Sequence, residues 1–200
     1  MMVLGITGGT GCGKTTLLRR AAALGALDID CDAVYHRLLA ADAALRRALE
    51  ARFPDVVRAG AWDRKALGAV VFGDPAALRD LNAIAHPFVC AEVRRLLRAA
   101  ADRPFAAIDA VALLESGLGA LCGVTVAVTA PPERRAARLV AREGVPEDYA
   151  RLRIAAQPAD AAFAARCGRT LHNDYPTEAQ FAAACDRFLL ALLEEFHIKL

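Results

Sequence analysis

Residues 8 to 15 read G-G-T-G-C-G-K-T, so glycines at 8 and 13 frame the spacing G-x-x-x-x-G-K-T, a pattern suited to wrapping a phosphate. Gly8, Gly9, Gly11 and Gly13 let the backbone turn where a Cβ would clash, so that several N–H groups converge on one anion. Lys14 adds a mobile positive charge for the β- and γ-phosphates, and the Thr15 hydroxyl is placed to ligate Mg²⁺ beside them. Cys12 reads as a small filler residue within the loop. The stretch accounts for a grip on a nucleotide, but it leaves the acceptor of any transferred group open.

Carboxylates supply the next clue. In D-I-D-C-D-A-V, Asp30 and Asp32 stand two apart, which puts both on one face if a strand persists through them. Asp32 also suits the N-cap of a helix starting at Ala33. Two acids at a strand end beside a phosphate loop fit base catalysis or metal positioning, because phosphoryl transfer to a hydroxyl needs a carboxylate to accept its proton. Asp109, after the apolar run F-A-A-I, has the form of a second metal-positioning carboxylate. Arginines are densest at 134, 135, 138, 142, 151 and 153. Arg134, Arg135 and Arg151 suit a solvated helix face, whereas Arg138 and Arg142 lie one turn apart and point at one target. Arg142, just before Glu143-Gly144, fits a lid arginine that closes over the transferred phosphoryl group. His86, before Pro87, reads as structural from its spacing alone.

These residues need elements to hold them. V-L-G-I-T is an apolar strand, K-T-T-L-L-R-R-A-A-A-L-G is a helix closed at Gly25, and A-L-D-I-D is a second strand. Two helices follow over roughly 33 to 52, then a loop with Pro54, Gly60 and Trp62. Next come a helix over D-R-K-A-L-G-A-V-V-F and a long helical stretch that opens at Asp74-Pro75, which Pro87 should end or kink near His86. P-F-A-A-I-D-A-V-A-L and G-V-T-V-A-V-T-A-P read as buried strands, followed by two arginine-rich helices broken at Gly144. A weak strand at R-T-L-H and an amphipathic helix from about Thr177 to Phe196 close the chain. Alternating strands and helices imply α/β architecture with a parallel, helix-covered sheet, whose ligand sits at the carboxyl ends of the strands.

Composition narrows the class. Two hundred residues with 56% hydrophobic content fit one domain with insertions. Twenty-five basic against 23 acidic residues give no field of one sign, which argues against nucleic-acid or membrane-surface partners. Only Lys14, Lys65 and Lys199 among the basic residues are lysine, so Lys14 stands out. The six cysteines show no metal-site or disulfide spacing, and with no leader-like or membrane-spanning stretch a reduced cytoplasm is expected. Nothing in the sequence sets the oligomeric state.

G-I-T-G-G-T-G-C-G-K-T-T, D-I-D-C-D-A-V, D-R-K-A-L-G-A-V-V-F, L-N-A-I-A-H-P-F-V, A-I-D-A-V-A-L-L-E-S-G-L and R-L-V-A-R-E-G followed by R-L-R-I-A-A-Q occur in order. Together they resemble the dephospho-coenzyme A kinase family nearly end to end. The resemblance implies a three-layer α/β/α P-loop kinase with a parallel sheet, a helical substrate-binding insertion at about 54–100 and a lid at about 132–166, all within one domain. It implies ATP-dependent phosphorylation of the ribose 3′-hydroxyl of a small-molecule substrate, dephospho-coenzyme A, with Mg²⁺. Asp32 matches the base, while Gly11, Cys12, Gly13, Lys14, Thr15 and Thr16 match the ATP-phosphate grip. Arg138 and Arg142 match lid arginines. Arg64, Leu81, Asn82 and His86 would build the pantetheine-side pocket, and Asp109 and Glu115 lie on the substrate side. Val111 stands where the family usually has proline, and Phe163 where it tends to have lysine. Rival readings are another small-molecule kinase acting on a nucleoside, a nucleotide or shikimate, and a non-catalytic nucleotide-binding regulatory copy. A guanine-nucleotide switch is disfavoured by the missing Asn-Lys-x-Asp motif.

Overall fold

The computed structural model describes residues 1–58 and 61–199. They form two compact units, Met1–Asp30 with Leu97–Leu200, and Cys31–Leu96. The first unit begins with β1 (Met2–Thr7), α1 (Lys14–Ala23) and β2 (Leu27–Asp30). The second unit contributes α2 (Cys31–Ala41), α3 (Ala43–Arg52), the short hairpin of β3 (Val57–Arg58) and β4 (Ala61–Trp62), α4 (Arg64–Gly73) and most of α5 (Pro75–Ala99). The chain then returns to the first unit with β5 (Phe105–Asp109), β6 (Val124–Thr129), α6 (Pro132–Glu143), α7 (Glu147–Ala155), α8 (Asp160–Ala164), β7 (Arg169–His172) and α9 (Glu178–Glu195).

The main sheet runs β2-β5-β1-β6-β7, with every neighbouring pair parallel. From β1 the chain builds first to one side, through β2 and β5, and then to the other, through β6 and β7. The order therefore reverses at β1, and a ligand crevice is expected at its carboxyl end. Alternation decides what covers each face. Leu4 and Ile6 pack with Leu17 and Leu18 of α1 and with Phe181, Cys185, Leu189 and Leu192 of α9. Gly5 points the other way, where an added Cβ would lie 2.8 Å from Leu113 and 2.7 Å from the Cys122 Sγ. Farther along, α8 packs against β6, and Phe163 on it is buried. The residue that replaces an expected lysine is thus part of the apolar cover of the sheet. The capping box of Thr177 and Gln180 fixes the start of α9.

The second unit has its own core, in which Leu39, Leu45, Leu49, Phe53, Val56, Leu67, Val71 and Ala77 are buried together. Asp42 caps α3 by accepting from the Ala44 and Leu45 amides, and Asp63 caps α4 by accepting from Ala66. Of the two outcomes the sequence allowed at Pro87, an ended or a kinked helix, the first does not occur: α5 runs on through the proline for 25 residues. Proline removes one backbone donor, but the stripe Ala85, Val89, Cys90 and Val93 buried on either side of it holds the helix. Among the described residues, no helix is long and apolar enough to cross a membrane.

Candidate active site

Between β1 and α1 the chain makes the turn that the glycine spacing implies. Gly13 has φ 108° and directly precedes the first turn of α1, so the helix N-terminus and the loop amides face one concavity. Its lack of a side chain is also used for packing: a Cβ there would come 2.5 Å from the Asn173 Nδ2 and 2.7 Å from the Phe181 ring. Lys14 reaches back over the loop, its Nζ donating to the Gly9 carbonyl at 3.3 Å. Thr15 is exposed at the helix start, whereas the Thr16 hydroxyl is turned toward Glu178 of α9, 3.4 Å away. Cys12 is fully buried in the core, and burial pushes its thiol up despite the opposing charges of Lys14 and Arg135. It stays protonated and packs, as a filler should.

Three side chains, Arg135, Asn173 and Arg138, hold the loop from outside, and of these Asn173 was absent from the sequence reading. Arg135, which the sequence placed on a solvated face, is 3% exposed. Its Nε donates to the Thr10 carbonyl at 2.8 Å, Nη1 to Asp160 at 2.9 Å and Nη2 to Gln157 at 3.0 Å. Asn173, buried just after β7, donates through Nδ2 to the Cys12 carbonyl at 2.8 Å. Its Oδ1 accepts from Arg138 Nη2 at 3.0 Å, and Arg138 Nη1 donates to the Gly11 carbonyl at 3.2 Å. Arg138, read from the sequence as a lid arginine beside Arg142, is instead held on the phosphate loop as a brace on its backbone. Partial burial shifts its guanidinium downward.

The acids at the strand ends are arranged differently from the sequence expectation. β2 stops at Asp30 and α2 starts at Cys31, so Asp32 lies in the first helical turn and does not continue a strand face with Asp30. A carboxylate there complements the helix dipole. Parallel register sets Asp30 beside Asp109 at the ends of β2 and β5, and Asp109 beside Ile6 of β1. Asp109 is buried, and its charge is among those felt by Cys12 in the loop. Val111, next along, accepts through its carbonyl from the Thr7 hydroxyl at 2.9 Å. Glu115 is paired with Arg166 on the surface.

Arg142 is not brought to the loop. Its side chain is 61% exposed and bonds Glu143, which also takes Arg153. Those two hydrogen bonds hold the Glu143 carboxyl below the usual carboxylate range, that from Arg142 weighing most. Arg134 and Arg151 occupy the expected solvent face, paired with Asp174 and Glu147. Leu81, Asn82 and His86 are half-buried along α5 of the second unit. Arg64 opens α4, and its side chain lies outside the described residues.

The family model and the curated relatives agree on one family. A family model described as dephospho-CoA kinase matches residues 2–178. A dephospho-CoA kinase of Streptomyces avermitilis is 39% identical over 180 residues, 89% of this chain and 88% of that protein. A Thermus thermophilus protein of solved structure is 30% identical with TM-score 0.80, covering 97% of each chain. Dephospho-CoA kinase from Campylobacter jejuni, at 21% identity, shares the fold with TM-score 0.66 over 96% of this chain and 98% of that one. The phosphate loop at the switch point of a five-stranded parallel sheet, braced by arginines from α6, thus sits in a chain that belongs to the dephospho-CoA kinase family.

Proposed function

We propose that this protein transfers the γ-phosphoryl group of MgATP to the ribose 3′-hydroxyl of dephospho-coenzyme A, giving coenzyme A and ADP, the last step of coenzyme A synthesis. The observation that carries this is the family match across residues 2–178, a stretch that includes the phosphate loop. The amides of Gly11 to Thr16 and the Lys14 ammonium hold the ATP phosphates, and their charge is stabilised where it develops during transfer. The Asp32 carboxylate takes the 3′-hydroxyl proton as that oxygen bonds the γ-phosphorus and the bond to the β-phosphate oxygen breaks. Arg142, once it leaves Glu143, covers the transferring group from the lid, and Arg64, Leu81, Asn82, His86 and Glu115 serve the acceptor side.

The Thr15 hydroxyl and the Asp109 carboxylate are hard oxygen donors that suit Mg²⁺ arriving on a nucleotide. No group of three or more His, Cys, Asp or Glu able to hold a metal occurs among the described residues. When bound, the ion neutralises charge on the β- and γ-phosphates.

Coupled ADP release from purified protein tests this, with dephospho-coenzyme A set against nucleosides, nucleoside monophosphates and shikimate. ADP formed with the panel but not with dephospho-coenzyme A would sink the assignment. Asp32→Asn is expected to lower turnover by ~10²-fold or more while ATP affinity stays within about twofold, as loss of a general base requires. Unchanged turnover would remove Asp32 from that role.

A further inference from the structure

Thr10 sits at the crown of the loop, and each of its polar groups is spent away from the phosphate concavity. Its N–H donates to the Gln157 Oε1 at 2.7 Å, its hydroxyl accepts from Gln157 Nε2 at 2.8 Å, and its carbonyl accepts from Arg135 Nε at 2.8 Å. Arg135 Nη2 closes the triangle on the same Gln157 oxygen. Asp160 then fixes Arg135 to the sheet, taking Nη1 on one oxygen and the Ala130 amide, just past β6, on the other at 2.7 Å. Gly9 makes room for this arrangement: a Cβ there would lie 2.1 Å from Arg135 Nη2.

We infer that Arg135, Gln157 and Asp160 form a positioning clamp that sets the phosphate loop for nucleotide before nucleotide arrives, and makes that setting depend on the segment after α7 being docked. The loop grips phosphate with backbone amides, so its affinity rests on the directions of peptide planes. A peptide is rigid, and pinning both the N–H and the C=O of Thr10 orients the two planes that flank it. The ordering cost then falls on folding and not on binding, which is how preorganisation raises affinity. An arginine is needed because three of its donors in a fixed fork meet three acceptors at once, while a lysine ammonium offers no such plane. Gln157 lies two residues beyond α7, so the same bonds tie the arginine-rich lid region to the loop. None of the three residues touches the reacting atoms.

The inference rests on the nucleotide reading above, and direct binding separates the two. ATP affinity of the full chain is measured by calorimetry for wild type, Gln157→Met, Arg135→Lys and the double variant. Each single change is expected to weaken ATP binding about tenfold, the loss of one or two fixed hydrogen bonds. The double variant loses less than the product of the two, because both act through Thr10. Gln157→Met should melt within a few degrees of wild type and leave the KM for the acceptor unchanged. Wild type that binds no ATP overturns the nucleotide reading. Wild type that binds ATP with the affinity of Gln157→Met, or losses that multiply in the double variant, overturn the clamp alone. Gln157 is half-buried, so its variant decides the matter even if Arg135→Lys does not fold.

Discussion

The two ends of α6 carry the same residue type on the same stripe and use it in opposite ways. Arg135 and Arg138, in its first half, are drawn onto loop carbonyls, where their guanidinium groups replace water on backbone acceptors. Arg142, two turns beyond Arg135, ends in solvent against Glu143. What a helix turn faces decides the role: carbonyls of the phosphate loop at one end, and open water at the other. A guanidinium fixed by several acceptors is a brace, and it is no longer free to follow a ligand. One held by a single exposed carboxylate can exchange it for phosphate at little cost.

The sharpest way to break this contrast is to truncate at both ends. Arg135→Ala removes one partner of a buried ion pair and strands the acceptors it served, so unfolding in urea should show a loss of about 3–5 kcal/mol. Arg151→Ala, which removes only an exposed helical pair with Glu147, should cost no more than about 0.5 kcal/mol. Equal losses would erase the distinction between brace and surface charge. Arg142→Ala comes next, with turnover expected to fall ~10²-fold, as for removal of one transition-state donor, while stability stays within about 0.5 kcal/mol. A variant that instead lost stability or ATP affinity while keeping kcat would place Arg142 with the braces.

The loop and the parallel sheet were legible in the sequence because each follows from local signals: glycine spacing and apolar runs. Asp109 was found for the same reason, as an acid closing an apolar strand. The braces were not. Arg135 precedes Arg138 by three and Arg142 by seven, so the helical stripe itself was visible, but its burial depends on Asp160 and Gln157 meeting it from far along the chain. Asn173 carried no signal beyond following a weak edge strand. Asp32 would share a strand face with Asp30 only if the strand persisted, and the immediate switch to helix at Cys31 ends it; register puts Asp109 beside Asp30 instead. Pro87 does not end α5, since one missing backbone donor is outweighed by the apolar stripe along the helix.

The smallest effect expected from the Arg142 end of α6 is a titration. Arg142 and Arg153 hold the Glu143 carboxyl below its ordinary value, so the folded protein keeps this group ionised at pH values where the unfolded chain already takes up a proton. Its contribution to stability is therefore full above the unfolded pKa of about 4.3 and disappears as pH falls through the lower, folded value. Glu143 is partly exposed, with 28% of its side chain accessible, so the contribution at pH 7 is small, about 0.5 kcal/mol. Comparing Glu143→Gln with wild type by thermal melts should show that gap at neutral pH, shrinking in acid and in high salt. A gap that stays constant down to pH 3 would mean that Glu143 acts through packing, and that the two arginines at this end are fixed by something other than charge. Acid would release Arg142 and Arg153 together from Glu143, whereas Arg135, 3% exposed, has no such easy release.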